Sequence, residues 1–314
     1  QRLGSRGRCH PLLGQSLAIA GDRIQCFETH IEPDDSTLQW SEVRWSDHQV
    51  FEKTLLPAAA YVEIGLAAGK EIFAEGYGLE AIALQQGLWL NSSANTHLQT
   101  QITRETEGDY KLEIYSLEAQ EGLASERKKT EKTRTEKKGA EKWIRHATAR
   151  LRKAAALPGE ISVAALQKRL TEELSISEIY EQFAQRGIHY GTSFQRLQKV
   201  CSKSNNHEVL AQIELSGDVS DESVSQISSW AASFLFHPVL LDAGLQVAGV
   251  TLFSSDISSP DSSDKGSYLP VAAETFQLLH ALPNAELWVY AKVRNASVER
   301  KIIDVSWISA SNQV

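Results

Sequence analysis

Two stretches of this chain read as buried helices, and their surroundings decide the fold. In AAAYVEIGLAAGKEIF (58–73) alanine and glycine dominate, and Pro57 stands where a missing N–H costs a helix nothing. In PVLLDAGLQVAG (238–249) a second proline, Pro238, opens a run whose polar side chains, Asp242 and Gln246, lie one helical turn apart. Small residues such as alanine and glycine allow close packing, so each is expected to be a buried helix cradled by sheet. Each is surrounded in sequence by strand-like runs: IQCFETHI, LEAIALQQGLWL, THLQTQITRE, DYKLEIYSLE and KWIRHATARL around the first, and HEVLAQIEL, SYLPVAAETFQLL, AELWVYAKV and IIDVSWISA around the second. A shorter helix, ISEIYEQFAQRG, precedes the second group. The expected class is therefore α+β, with a strongly curved antiparallel sheet wrapped around one buried helix, used twice.

The halves show no sequence repeat, only the same order of elements. The expected organisation is a first half over 1–151, a linker with a short helix over 152–174, and a second half over 175–314. At 314 residues, two domains or a pair of similar halves fit better than one domain. Within the first half, EGLASERKKTEKTRTEKKGAEK places Glu121, Glu126, Glu131, Glu136 and Glu141 at a five-residue period that suits neither helix nor strand. It offers almost nothing to bury, so a solvated, mobile insertion at about 121–142, between two strands of a hairpin, is expected.

Composition excludes several classes of function. A net charge of -8 argues against nucleic acid as a partner. No apolar run reaches bilayer length and no signal peptide is visible, so no membrane is expected and the cytoplasm is the expected location. Cys9, Cys26 and Cys201 are odd in number and far apart, which suggests neither a disulfide framework nor zinc. The histidines lack ligand spacing, no GxSxG elbow occurs, and no glycine-rich nucleotide loop follows a strand, so neither metal nor cofactor is expected. The chain starts mid-stride (QRLGSRGRCHPLLG), as a segment of a larger polypeptide would.

The chemistry points to proton transfer. His48 lies in DHQVFEKTLLP, and a neutral imidazole suits a general base at cytoplasmic pH. Asp242 lies among Val239, Leu240, Leu241, Ala243 and Leu245, whose desolvation keeps a carboxyl protonated and able to act as an acid. Gln246, four residues on, is its expected orienting partner. The structural alternatives are a hydrogen-bonded core histidine and an N-cap aspartate.

Four stretches, in order, carry a resemblance. His48 to Pro57 resembles HxxxGxxxxP, Gly187 to Phe194 (GIHYGTSF) resembles GxxYGPxF, His237 to Gln246 is similar to HPxLLDxxxQ, and Leu269-Pro270 with Leu278 resembles LPxxxxxxxL. With HPLLG (10–14) and WIRHATARL, these stretches resemble the dehydratase domain of modular type I polyketide synthases and, more distantly, that of animal fatty acid synthase. The resemblance implies a double hotdog fold. It implies elimination of water from a β-hydroxyacyl thioester, held on the phosphopantetheine arm of an acyl carrier protein, to give an α,β-enoyl thioester without a cofactor. It also implies the carrier protein and neighbouring synthase domains as partners, and a homodimer joined near HPLLG. Tyr190 is then expected to hydrogen-bond Asp242 or the leaving hydroxyl, and the Gly191 N–H to bind the thioester carbonyl. Pro57, Pro238, Leu269 and Pro270 are expected to be structural. Glu52 and Thr192 stand where the family has glycine and proline, which implies an altered loop. An enoyl isomerase or cyclase on the same fold, and a non-catalytic acyl-binding scaffold, are the alternative functions.

Overall fold

The computed structural model describes residues 10–32, 43–91, 95–118, 142–154, 161–203, 207–215, 234–253, 267–279, 286–297 and 300–309. The expected charged insertion, apart from Lys142, lies outside these residues, as does Cys9. In the first half the chain forms strands β1 (Gln15–Leu17), β2 (Ile24–Ile31), β3 (His48–Val50) and β4 (Lys53–Thr54), helix α1 (Ala58–Phe73), then β5 (Tyr77–Leu84), β6 (Thr96–Thr106), β7 (Asp109–Leu117) and β8 (Trp143–Lys153). Helix α2 (Val163–Arg169), strand β9 (Glu172–Glu173), helix α3 (Ile176–Gln185) and strands β10 (Ile188–Tyr190), β11 (Leu197–Ser202) and β12 (Glu208–Glu214) follow. Helix α4 (Pro238–Phe253) and strands β13 (Ala272–Gln277), β14 (Glu286–Ala296) and β15 (Lys301–Ile308) complete the described chain.

Among the described residues, these strands form three antiparallel sheets. The largest runs β1-β2-β6-β7-β8-β5-β13, a second runs β15-β14-β12-β11-β9, and a small one runs β10-β3-β4. Helix α1 packs on the first sheet, α4 packs on the second, and the two helices touch. Small residues allow this close approach. A Cβ on Gly65 would lie 2.8 Å from Leu79, and one on Gly244 would lie 2.3 Å from the Trp307 indole. That indole donates through Nε1 to the Leu240 carbonyl at 3.2 Å, which seals α4 against β15. Apolar side chains of both halves form one continuous core, from Leu13 and Phe27 to Leu287 and Ile213.

Among the described residues, two strand pairings cross between the halves. Strand β13, expected in the second half, pairs instead with β5, from Ala272↔Ala83 to Gln277↔Gly78, and so forms an edge of the first sheet. Strand β10 pairs with β3, setting Tyr190 opposite His48. The 152–174 stretch carries α2, whose Val163 and Leu166 pack with Leu210 and Ile308 on the second sheet, and β9, which pairs with β11. Strands β7 and β8 are hydrogen-bonded neighbours from Asp109↔Arg152 to Leu117↔Trp143, so the charged stretch joins two paired strands.

Backbone geometry accounts for both departures from the family pattern. Strands β3 and β4 are joined by two residues, Phe51 and Glu52, with φ of 48° and 63°. A two-residue hairpin turn with both central residues left-handed favours glycine or asparagine, so Glu52 holds a conformation that glycine would adopt freely. Thr192 is the second residue of a turn closed by the Phe194 N–H on the Gly191 carbonyl at 3.0 Å. Proline is favoured at that position, but most residues fit it. Glu52→Gly should therefore raise the unfolding free energy by about 1 kcal/mol. The measurement is the urea midpoint at unchanged m-value, and an unchanged or lower midpoint contradicts the strain account.

Candidate active site

His48 opens β3, directly after a turn of 3-10 helix over Trp45–Asp47. Its side chain is buried, with the Tyr190 and Phe194 rings 5.6 and 5.5 Å away. Its Nδ1 lies 2.8 Å from the Leu55 carbonyl oxygen. A carbonyl can only accept, so Nδ1 carries the hydrogen and donates it, and in the neutral ring the lone pair is on Nε2. The turn between β3 and β4 doubles the chain back and brings Leu55 to this nitrogen, and the Leu55 N–H in turn bonds the His48 carbonyl at 3.1 Å. The hairpin thus sets the tautomer.

Nε2 faces the Asp242 carboxyl, with 4.0 Å between Nε2 and Oδ1. Asp242 lies on the first turns of α4 and is 3% exposed. Burial pushes its pKa above the usual carboxylate range, while His48 and a hydrogen bond from Gln246 work against that shift. Gln246 donates from Nε2 to Asp242 Oδ2 and to the Phe194 carbonyl, both at 3.0 Å. On its other side it accepts from the Tyr180 hydroxyl at 3.3 Å. The Phe194 carbonyl is an acceptor only, so it fixes which end of the amide faces Asp242. Oδ2 is therefore committed as an acceptor. When the carboxyl is protonated, its hydrogen sits on Oδ1, the oxygen turned towards His48.

The structure brings together His48, Asp242, Gln246 and Tyr190. The side-chain hydrogen bond to Asp242 comes from Gln246, so of the two partners expected for Tyr190 the leaving hydroxyl is the one that stands. Tyr190 sits edge-on to His48 and Phe183, and burial raises its pKa further, so the phenol stays protonated beside the dyad. The Gly191 N–H, expected to bind a thioester carbonyl, is already donated to the Asp47 carbonyl at 2.7 Å. Its amide is consumed in attaching this turn to the segment before His48.

The structural residues also find their places. Pro57 is the N-cap of α1, and Pro238 is the first residue of α4. His237 caps α4: its Nδ1 accepts the Val239 N–H at 3.3 Å, and burial lowers its pKa to about 3, which keeps the acceptor free of a proton. Leu269 and Pro270 are exposed, in the lead-in to β13. The nearby Ser267 hydroxyl donates to the Arg186 carbonyl at the end of α3.

Sequence reasoning missed Tyr180, Asp47 and Glu63. Tyr180 is spaced like any core aromatic of α3, and Asp47 is masked by the histidine it precedes. Glu63 had a signal, as a lone carboxylate in the apolar run YVEIGLAAG. It is fully buried and accepts from His10 Nε2 at 3.0 Å, from the Leu235 N–H at 2.7 Å and from the Phe236 N–H at 3.0 Å. It therefore ties HPLLG and the lead-in of α4 to α1. Among the described residues, no cluster of three or more His, Cys, Asp or Glu could hold a metal ion.

Comparisons with known proteins converge on one family. Residues 10–117 match the family model described as polyketide synthase dehydratase domain, and residues 159–314 match the polyketide synthase dehydratase N-terminal domain. The chain is 29% identical over 238 residues to polyketide synthase GfsE of Streptomyces halstedii, covering 75% of this chain and 5% of that protein. It is 28% identical over 278 residues to a phenolphthiocerol/phthiocerol polyketide synthase of Mycobacterium tuberculosis, covering 86% of this chain and 13% of that protein. The chain thus spans only a small part of these curated relatives. The dehydratase domain from the CurF module of curacin polyketide synthase superposes with a TM-score of 0.73 at 22% identity, covering 96% of this chain and 94% of that one. The double hotdog expected from sequence is the fold observed.

The Gln246 contact carries a sign that can be measured. Its N–H on Oδ2 favours the Asp242 anion, so Gln246→Ala should push ionisation of Asp242 to still higher pH. A carboxyl 13C NMR titration of aspartate-labelled protein, assigned with Asp242→Asn, should show the resonance titrating later than in the wild type. An earlier transition would contradict the arrangement.

Proposed function

We propose, for a chain that belongs to the polyketide synthase dehydratase family, that its His48–Asp242 pair eliminates water from a β-hydroxyacyl thioester carried on an acyl carrier protein. The observation that supports this reading best is the placement of the two facing atoms: His48 Nε2, the ring nitrogen not bound to the Leu55 carbonyl, lies 4.0 Å from Asp242 Oδ1, the carboxyl oxygen not bound by Gln246. Nε2 removes the α-proton. Oδ1 gives its proton to the β-hydroxyl, the carbon–oxygen bond breaks, and a double bond forms between the α and β carbons as water leaves. The pair is then an imidazolium beside a carboxylate, and returning one proton from nitrogen to oxygen restores it. No electron is gained or lost, so the reaction calls for no redox cofactor.

The low-dielectric setting supports each role. Burial disfavours an anion at Asp242 before reaction, and the positive charge arising on His48 during reaction offsets that penalty as the proton leaves. Tyr190 stands beside both groups as a phenol, in reach of a ligand between them. The substrate arrives on the phosphopantetheine arm of the carrier protein, and the remaining partners are the neighbouring domains of a larger synthase. No helix of the described residues is long and apolar enough to cross a membrane.

We also propose a two-fold dimer, supported by β1, which among the described residues is the edge strand of the first sheet and lies close to HPLLG. Light scattering should give twice the chain mass, and a monomer at micromolar concentration would refute it.

The catalytic assignment is tested by mass spectrometry on a 3-hydroxyacyl thioester probe, where dehydration removes one water and isomerisation leaves the mass unchanged. His48→Ala and Asp242→Asn should each lower turnover by about 100- to 10,000-fold while the circular dichroism spectrum stays that of the wild type. Near-normal rates in either folded variant would exclude that residue from the chemistry.

A further inference from the structure

We infer that Asp47 is a positioning residue for both reactive side chains: it clamps the Gly191–Phe194 turn onto the segment carrying His48, and that turn supplies the carbonyl that orients Gln246 and, through it, Asp242. This rests on the dehydratase reading of the dyad.

Asp47 precedes His48 and closes the 3-10 turn, with its own N–H on the Arg44 carbonyl at 3.0 Å. Two contacts run from it to the turn. Its carbonyl accepts the Gly191 N–H at 2.7 Å, and its Oδ2 accepts the Ser193 N–H at 2.9 Å. A hydrogen bond to a carboxylate is about twice as strong as a neutral one, so the side-chain contact is the firmer grip. The fit is tight as well. A Cβ on Gly191 would lie 2.3 Å from Asp47 Cγ and 2.4 Å from Oδ1, so the backbone passes directly over the carboxylate and only glycine allows it. The Ser193 hydroxyl adds contacts of 3.4 Å with the Arg44 N–H and carbonyl.

The turn then reaches the dyad by two routes. The Phe194 ring packs 5.5 Å from the His48 ring, and the Phe194 carbonyl takes the Gln246 amide at 3.0 Å. Residues 44–48 come from the first half, and Gly191, Phe194, Gln246 and Asp242 from the second. The clamp therefore crosses the seam beside the reacting atoms. If it is released, Phe194 is free to move, the Gln246 amide loses its fixed partner, and Asp242 Oδ2 loses its donor. The groups facing Asp242 are His48 from β3, Gln246 from its own helix, and the phenols Tyr180 and Tyr190 from α3 and β10. None of these is removed by a change at position 47.

An aspartate that merely stabilises a loop would, when replaced, change stability alone. A positioning residue changes the state of the acid. In Asp47→Ala the Asp242 carboxyl should ionise at higher pH than in the wild type in the 13C titration, in the same direction as Gln246→Ala. On 3-hydroxybutyryl-pantetheine its kcat should fall about 10- to 100-fold, with KM within about threefold. Asp47→Asn, which retains a carbonyl acceptor for the Ser193 N–H, should recover most of that loss. Gly191→Ala, which forces the turn off the same clamp, should reproduce it, and the double variant should be no worse than either single one. If Asp47→Ala does not fold, Asp47→Ser, whose shorter side chain cannot span the contact, gives the same readouts. An unmoved Asp242 titration, an unchanged kcat, or multiplying losses in the double variant would overturn the assignment. A wild-type protein that removes no water from the probe would instead count against the dehydratase reading, and the titration still decides the role of Asp47.

Discussion

Three hydrogen-bond donors converge on the Glu63 carboxylate where the two halves meet, and the course of the chain into α4 is held by that convergence. Both Leu235 and Phe236 give their N–H groups to it, immediately before His237 caps the helix and Pro238 begins it. His10 supplies the third donor. Its Nδ1 accepts the Leu12 and Leu13 N–H groups at 3.2 and 3.3 Å, which leaves Nε2 to carry the hydrogen towards Glu63. An acceptor buried in this way is expensive to leave unmatched, so helix, strap and lead-in are fixed as a set. Asp242 inherits its place from that arrangement, one turn beyond the helix start.

The protein treats its two buried carboxyl groups differently, and the difference separates structure from chemistry. Burial pushes the pKa of both upward. Glu63 is surrounded by donors on both oxygens, which favour the charged form and oppose the shift. Asp242 receives, among the described residues, one hydrogen-bond donor, Gln246 on Oδ2, and its other oxygen is turned to His48 across 4.0 Å. A carboxylate met by donors on both oxygens suits a strut, whereas one with an oxygen turned to His48 suits the acid proposed for Asp242.

Much of this was legible in the sequence because it rests on local rules. Helix α1 coincides with the run 58–73, bracketed by Pro57, and β2 coincides with IQCFETHI. Asp242 and Gln246 meet because positions four apart share a helix face. What was not legible depends on long-range pairing. The pattern of AAETFQ is exposed at its first four residues, so nothing in it says which sheet will receive it. Gly191 reads as a free donor until the Asp47 carbonyl arrives from more than a hundred residues upstream. Glu52 shows the opposite case: the need for a glycine-like angle could be anticipated at that position, and the backbone meets it with a glutamate at φ 63°.

The placement of β13 has a consequence for how the chain can be made and recombined. Residues 272–277 are made well after β5, yet they cover its outer edge. Until then the first sheet waits with one border uncovered, open to pairing with any stray extended segment. A chimera that exchanged only one half with a relative would bring a foreign border strand to β5, so workable breakpoints are those that move residues 77–84 and 272–277 together.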